Sequence, residues 1–191
     1  MTNAKEPIPE SGGLNVAVHP FNLTRIFHSA FGAPINHKVV LSPSVTEREL
    51  RLKLILEEFL ELCEAMGFGL VNDFGNSLSN LGVRIGHIEG SRYDPVETAD
   101  ALGDLNVVVN GTSLVLGIPQ PAVDMEIFYS NMSKLGEDGE PIVNGVTPGY
   151  RDGDANYAFD QPVGKILKGP NFRKPNILRI LFGLGHPGDE S

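Results

Sequence analysis

Apolar side chains recur along this chain at helical rather than strand spacing. Leu23, Ile26, Phe27, Ala30 and Phe31 fall three and four residues apart, which predicts a first helix with Asn22 as its cap and Gly32 as its stop. A longer period runs through Leu50, Leu54, Ile55, Leu56, Phe59, Leu62, Cys63 and Met66 and ends at Gly67. Two capping boxes could open this second helix: Thr46 with Glu49, or in the alternative register Ser44 with Glu47. Leu52 and Leu60 carry its apolar surface beyond one face, so it is expected to be buried on more than one side, in a bundle interior or at a subunit interface. A third helix opens with Asp94 as cap, Pro95 at the first helical position and Glu97 at the capping-box position. It continues through Ala101, Leu102, Leu105, Val108 and Val109 to Gly117. A fourth starts near Pro119 or Pro121 and runs through Val123, Ile127, Phe128 and Met132 to Gly136, and Ile177, Leu178, Ile180, Leu181 and Phe182 suggest a short fifth.

Between these elements the pattern loosens. Residues 1–20 read as a flexible arm. Residues 67–93 carry glycines at 67, 69, 75, 82, 86 and 90, with a short hairpin expected around Val83–Ile88. Such a stretch is long for a helix–helix connection, which points to a functional or partner-facing excursion. Residues 136–191 are rich in Gly, Pro and Asn. The sum is one all-α domain over residues 1–191, a four- to five-helix bundle with a long irregular C-terminal tail.

The polar positions that break the helical pattern are the informative ones. Glu57, Glu58 and Glu61 interrupt an almost continuous apolar run, and Glu97, Asp100 and Asp104 do the same in the third helix. At about 100° per residue, positions three, four and seven apart share a face, so each group forms a stripe of carboxylates. Like charges so spaced repel by about a few tenths of a kcal/mol in water, and by more when partly buried. Neither cluster contains a Lys or Arg. Solvated acidic faces are common on helices, but the apolar setting and the missing basic partners favour a divalent metal as the counter-charge. An all-oxygen donor set suits Mg²⁺ or Mn²⁺, which leave room for water and substrate phosphates. Di-iron carboxylate bundles need Glu-x-x-His pairs, and none of the five histidines falls in a cluster. Asp152-Gly-Asp154-Ala-Asn156 opens like a calcium loop, but Tyr157 stands where the turn needs Gly and Val163 where a bidentate Glu is needed.

Metal held between two acidic helices suggests phosphate chemistry. Cations to meet the phosphates are at hand in Lys134, three residues beyond Asn131, and in Lys165, Lys168, Arg173 and Lys174 of the tail. A net charge of −9 argues against a duplex nucleic-acid partner. Cys63, the single cysteine, excludes an internal disulfide or a cysteine zinc site and reads as core. The first residues lack the apolar stretch of a signal peptide, and no run of about 18 apolar residues exists to span a membrane, so a soluble cytoplasmic protein is expected.

Glu57-Glu58-x-x-Glu61 followed by Glu97-x-x-Asp100 resembles the signature of the all-α nucleoside triphosphate pyrophosphohydrolases, the MazG-like and phosphoribosyl-ATP pyrophosphatase-like superfamily. Phe27-His28-Ser29-Ala30-Phe31-Gly32, Ala99-Asp100-Ala101-Leu102-Gly103-Asp104, Ser130-Asn131-Met132-Ser133-Lys134-Leu135 and Lys165-Ile-Leu-Lys168-Gly169-Pro170-Asn171-Phe172 are similar to segments of the second branch, so the likeness spans about residues 23–178. The resemblance implies Mg²⁺- or Mn²⁺-dependent hydrolysis of a nucleoside triphosphate to the monophosphate and pyrophosphate, in a bacterial cell or a phage-infected host. It implies Glu57, Glu58, Glu61, Glu97 and Asp100 as metal ligands. One of Glu57, Glu58 and Glu61 would also orient or deprotonate the attacking water. Asn131 and Lys134 would contact the phosphates, with Lys168 a weaker candidate; Asp104 falls outside the motif and, one turn from Asp100, is expected to hold a water or an indirect contact. Members assemble as homodimers or homotetramers, with the bundle completed across the interface. Some phage relatives act on dGTP, including those that serve synthesis of diaminopurine-containing DNA, which makes dGTP or GTP the first substrate expected. The alternatives are another nucleotide, such as phosphoribosyl-ATP, or a catalytically silent nucleotide-binding or oligomerisation bundle. Two departures stand out: thirty-five residues separate Glu61 from Glu97, which makes 67–93 an insertion, and residues 140–164 are expanded.

Overall fold

A computed structural model describes residues 19–72 and 83–183. The expected arm, apart from its last two residues, lies outside them, as do the tip of the 67–93 excursion and the end of the tail. Five helices and one two-stranded antiparallel sheet make up the described residues: α1 (Pro20–Phe31), α2 (Val45–Ala65), β1 (Phe68–Asn72), β2 (Val83–His87), α3 (Pro95–Leu116), α4 (Gln120–Met132) and α5 (Ile177–Phe182). The predicted helical class holds. Internal contacts divide the chain into two units, with the boundary in sequence between Ile118 and Pro119.

In the first unit α3 is the hub, packed by both α1 and α2. Small residues on α3 allow the approach. A side chain added at Gly111 would collide with the ring of buried His28 on α1, whose Nδ1 lies 2.9 Å from the Pro34 carbonyl. The loop after α1 then crosses the C-terminus of α3 and satisfies carbonyls that the helix leaves open. Asn36 N–H donates to Leu114 O and Val40 N–H to Leu116 O, each at 2.9 Å, while the Asn36 amide donates to Val115 O at 2.6 Å. Gly117 closes α3 in the left-handed region at φ 67°, with the Lys38 carbonyl where a β-carbon would stand.

One cap differs from the expected one, and another settles between two registers. His19, not Asn22, opens α1: its Nδ1 accepts from Phe21 N–H at 3.1 Å, and Pro20 takes the first helical position. Ser44, the alternative register, opens α2, with its hydroxyl accepting from Glu47 N–H at 3.0 Å. Asp94 caps α3 as expected, accepting from Val96 N–H at 2.9 Å and Glu97 N–H at 3.2 Å.

The excursion between α2 and α3 is a hairpin, with β1 and β2 in register from Phe68↔His87 to Asn72↔Val83. It leaves and returns at one place. Ile88 N–H donates to Gly67 O at 3.0 Å, the Ser91 hydroxyl donates to the same carbonyl at 2.8 Å, and Asp94 N–H donates to Ala65 O at 2.8 Å. The start of α3 is thereby sewn to the end of α2. This stitching lets two acidic clusters far apart in sequence face one another.

The second unit begins with α4, which stops at Met132 rather than Gly136. Tight bonds from Lys134 N–H to Asn131 O and from Leu135 N–H to Met132 O turn the chain away, and Gly136 instead opens the next turn, donating to Glu140 O. The stretch that follows is irregular but pinned. Asn144 is fully buried; its amide donates to Ala158 O at 3.0 Å and Gln161 O at 2.9 Å, and its Oδ1 accepts from Ala158 N–H at 3.0 Å. Buried Glu126 of α4 performs the same service at the far end, with Arg173 Nη1 at 2.7 Å and Asn176 N–H at 2.8 Å on one carboxylate oxygen.

The apolar core is small. Among the described residues the buried hydrophobic side chains are Cys63, Ala65, Ala101, Leu114, Val115 and Ile142. Expected burial of α2 on more than one side is not met within one chain, because Leu50, Leu52, Leu56 and Leu60 are exposed.

Candidate active site

The carboxylates expected to act together are assembled by the α2–α3 packing. Capping by Asp94 sets the phase of α3, so that Thr98 and Ala101 are buried while Glu97, Asp100 and Asp104 remain exposed. On α2, Cys63 and Ala65 are buried, Glu58 is half-buried, and Glu57 and Glu61 are exposed. Burial pushes the Glu58 carboxyl above the usual carboxylate range, and the charges of Glu61, Asp104, Glu57 and Asp100 add to the effect in that order. That field from both helices is the electrostatic mark of one shared acidic site. Glu58 Oε2 is buried and has no hydrogen-bond partner.

A cleft of about 480 Å³ opens beside these groups, lined by Glu61, Glu64, Arg92, Asp94, Glu97 and Asp100 together with Ala65 and Ala101. Three of the expected ligands, Glu61, Glu97 and Asp100, thus meet at one opening. Glu57, Glu58 and Asp104 are not among its lining residues and join the group through the field at Glu58. Asp94 is committed to its cap. Glu64 and Arg92 are additions that sequence reasoning missed. Glu64 carried a signal, since it stands one turn beyond Glu61; Arg92, in the connection ahead of α3, carried none.

The donor set fits a hard divalent cation. All the candidate ligands are carboxylates, their mutual repulsion calls for positive charge, and Glu58 offers an oxygen with no other partner. Among the described residues no three His, Cys, Asp or Glu side chains form a ready-made cage. Mg²⁺ does not require one, because it keeps several waters and binds through one or two carboxylates plus substrate phosphates.

In the second unit the Asn-Met-Ser-Lys block at the end of α4 and the Lys-Gly-Pro-Asn block of the tail also come together. Lys134 Nζ donates to Asn131 Oδ1 at 2.8 Å, and the Lys134 carbonyl accepts from Gly169 N–H at 2.9 Å. A side chain on Gly169 would strike the Leu135 carbonyl, so Lys-Gly-Pro-Asn lies directly against the end of α4. Lys168 is exposed and holds its ammonium 4.8 Å over the Phe172 ring.

The remaining candidates resolve as structural. Cys63 is buried, and desolvation pushes its thiol up, which suits a core residue. Asp154, from the calcium-loop look-alike, accepts the Arg151 N–H of its own turn at 2.8 Å. No single helix among the described residues is long and apolar enough to cross a membrane.

A sequence model of the phosphoribosyl-ATP pyrophosphohydrolase family matches residues 24–130, more than half of the chain. The match takes in both acidic helices and the hairpin between them, and stops just before Asn131. Among curated proteins the chain finds no match.

Proposed function

Since the chain belongs to the phosphoribosyl-ATP pyrophosphohydrolase family, of the all-α NTP pyrophosphatase superfamily, we propose that it is a Mg²⁺- or Mn²⁺-dependent enzyme that splits a (deoxy)nucleoside triphosphate into the monophosphate and pyrophosphate. Hydrolysis of a phosphoric anhydride bond comes with the family. The metal and the triphosphate substrate are our reading, and the observation that carries it is the α2–α3 site: carboxylates from both helices in one field, with an unpartnered oxygen on Glu58 beside an acidic cleft.

Glu57, Glu58, Glu61, Glu97 and Asp100 would hold the ion. When bound, it supplies Lewis-acid chemistry and offsets phosphate charge. The protein's own part is to bring carboxylates from two helices to one opening and to take up a proton. One of Glu57, Glu58 and Glu61 would also orient the attacking water or take its proton, and Glu58, whose Oε2 is buried without a hydrogen-bond partner, is the first of them to test. Asp104, whose charge reaches Glu58 in the metal-free protein, would act from beside the ion through a water or an indirect contact. Asn131, Lys134 and Lys168 are carried as phosphate contacts on the resemblance alone. dGTP or GTP is the first substrate on the same ground.

Phosphoribosyl-ATP is the second reading, favoured by the family's own description. Pyrophosphate release from a panel of NTPs, dNTPs and phosphoribosyl-ATP decides between them. Turnover of a purine triphosphate and not of phosphoribosyl-ATP supports the first reading, and the reverse supports the second. A protein that binds nucleotide and metal but turns nothing over is the silent bundle.

We assign the exposed leucines of α2 to an interface that a second copy covers in a homodimer or homotetramer.

A further inference from the structure

The acidic cleft is an odd place to receive a polyphosphate. Among the described residues that line it are the carboxylates of Glu61, Glu64, Asp94, Glu97 and Asp100, and a single cation, Arg92. Metal can neutralise part of this charge and help to orient the phosphates, but a pyrophosphate carries more oxygens than the ion meets, and those call for a directional donor. A guanidinium does, because its planar fork matches two phosphate oxygens.

Arg92 has the attributes of such a group. Its side chain makes no hydrogen bond or ion pair with any described residue, although five carboxylates share the cleft. Its backbone is held on both sides. Ser91 donates from its hydroxyl to Gly67 O at 2.8 Å and from its N–H to Ile88 O at 3.1 Å, and Asp94 N–H donates to Ala65 O at 2.8 Å. A fixed backbone carrying an uncommitted guanidinium is what a ligand contact requires. An arginine serving as counter-charge would instead be expected in an ion pair with Glu64 or Asp94. The segment that carries it follows the hairpin, so the insertion brings a cation to a site that α2 and α3 supply only with anions.

We infer that Arg92 is a substrate-contacting residue that grips the pyrophosphate portion of the nucleotide in the α2–α3 cleft. The inference rests on the pyrophosphohydrolase reading of that cleft, and its test is read separately from turnover. Inorganic pyrophosphate with Mg²⁺ is titrated calorimetrically into the full chain and into Arg92→Ala and Arg92→Lys, and Mn²⁺ binding is followed in parallel without pyrophosphate. Loss of a charge-assisted contact weakens pyrophosphate binding about tenfold to a hundredfold in the Ala variant. The Lys variant recovers part of the loss, Mn²⁺ binding is not weakened, and excess Mn²⁺ does not restore pyrophosphate affinity. In turnover the same change appears as a raised KM. Pyrophosphate affinity unchanged in Arg92→Ala, or restored by more Mn²⁺, overturns the inference and marks Arg92 as a charge-balancing residue. No pyrophosphate binding by the unsubstituted chain overturns it too. Failure of every nucleotide to turn over, by contrast, overturns the enzymatic reading while leaving the binding result to decide the role of Arg92.

Discussion

At the scale of a single residue, the proposed chemistry centres on Glu58. Its carboxyl is half-buried, raised in proton affinity by burial and by four neighbouring carboxylates, and short of one hydrogen-bond partner. A group whose folded pKa is raised costs stability above that pKa, because the folded state holds the charged form at a disadvantage. Glu58→Gln should therefore raise the melting temperature of the metal-free protein at neutral pH, and Glu61→Gln and Asp100→Asn should leave it equal or higher by relieving the same field. All three should lose activity by roughly two to four orders of magnitude. Thermal melts beside turnover assays check the pair of outcomes, and a variant that melts lower while keeping activity would mark the carboxylates as structural. Glu126 behaves in the opposite sense. The Asn176 N–H, then Arg173, hold its carboxyl below the usual range. Its contribution is complete above the unfolded carboxylate pKa, about 4.3, and is lost as pH falls through the lower folded value. The stability difference between the natural chain and Glu126→Gln, read by denaturant melts, should be steady from pH 7 to about 5 and close below about 4.

At the scale of elements, helix existence was readable and helix ends less so. Asp94-Pro95 and Gly117 mark α3 by local chemistry, because a side-chain acceptor, a missing N–H and a left-handed glycine each act within a turn of where they stand. Ser44 and Thr46 offer equivalent caps two residues apart, and only the observed bond to Glu47 N–H separates them. His19 falls outside the usual capping residues, although Pro20 behind it was a usable signal. Gly136 misled because a turn, not a helix, uses it. Asn144 was illegible: its partners lie fourteen and seventeen residues away, in a stretch without period. Replacing it by Ala leaves buried carbonyls and an N–H unsatisfied and should cost the second unit about 2–4 kcal/mol. Faster proteolysis around residues 158–165 and an earlier denaturant midpoint are the expected signs; an unchanged midpoint would mean that the loop holds without its anchor.

For the whole molecule, the acidic half of the site could be read from sequence and the rest could not. Glu57, Glu58, Glu61, Glu97, Asp100 and Asp104 announced themselves by breaking apolar helices, a pattern that needs no tertiary information. Glu64 and Arg92 join them only because the hairpin closes on the end of α2. The surplus of apolar surface is also a property of the whole chain. Leu52 is 68% exposed and Leu56 48%, on a helix whose pattern asked for burial on more than one side. If a second copy covers them, Leu52→Glu with Leu56→Glu should convert a dimer or tetramer to monomer in light scattering behind size exclusion. A monomeric natural chain would refute the assembly.

On the proposed reading, the α2–α3 carboxylates make this family member a metal-dependent triphosphate pyrophosphohydrolase. Chromatographic resolution of the products from a panel of NTPs and dNTPs, with Mg²⁺, with Mn²⁺ and with chelator, is the decisive measurement. Monophosphate and pyrophosphate are expected in equal amounts from one or two purine triphosphates, dGTP or GTP first, with turnover abolished by chelator and by Glu61→Gln. Diphosphate and inorganic phosphate as products, turnover indifferent to chelator, or no turnover by folded, metal-loaded protein would contradict it.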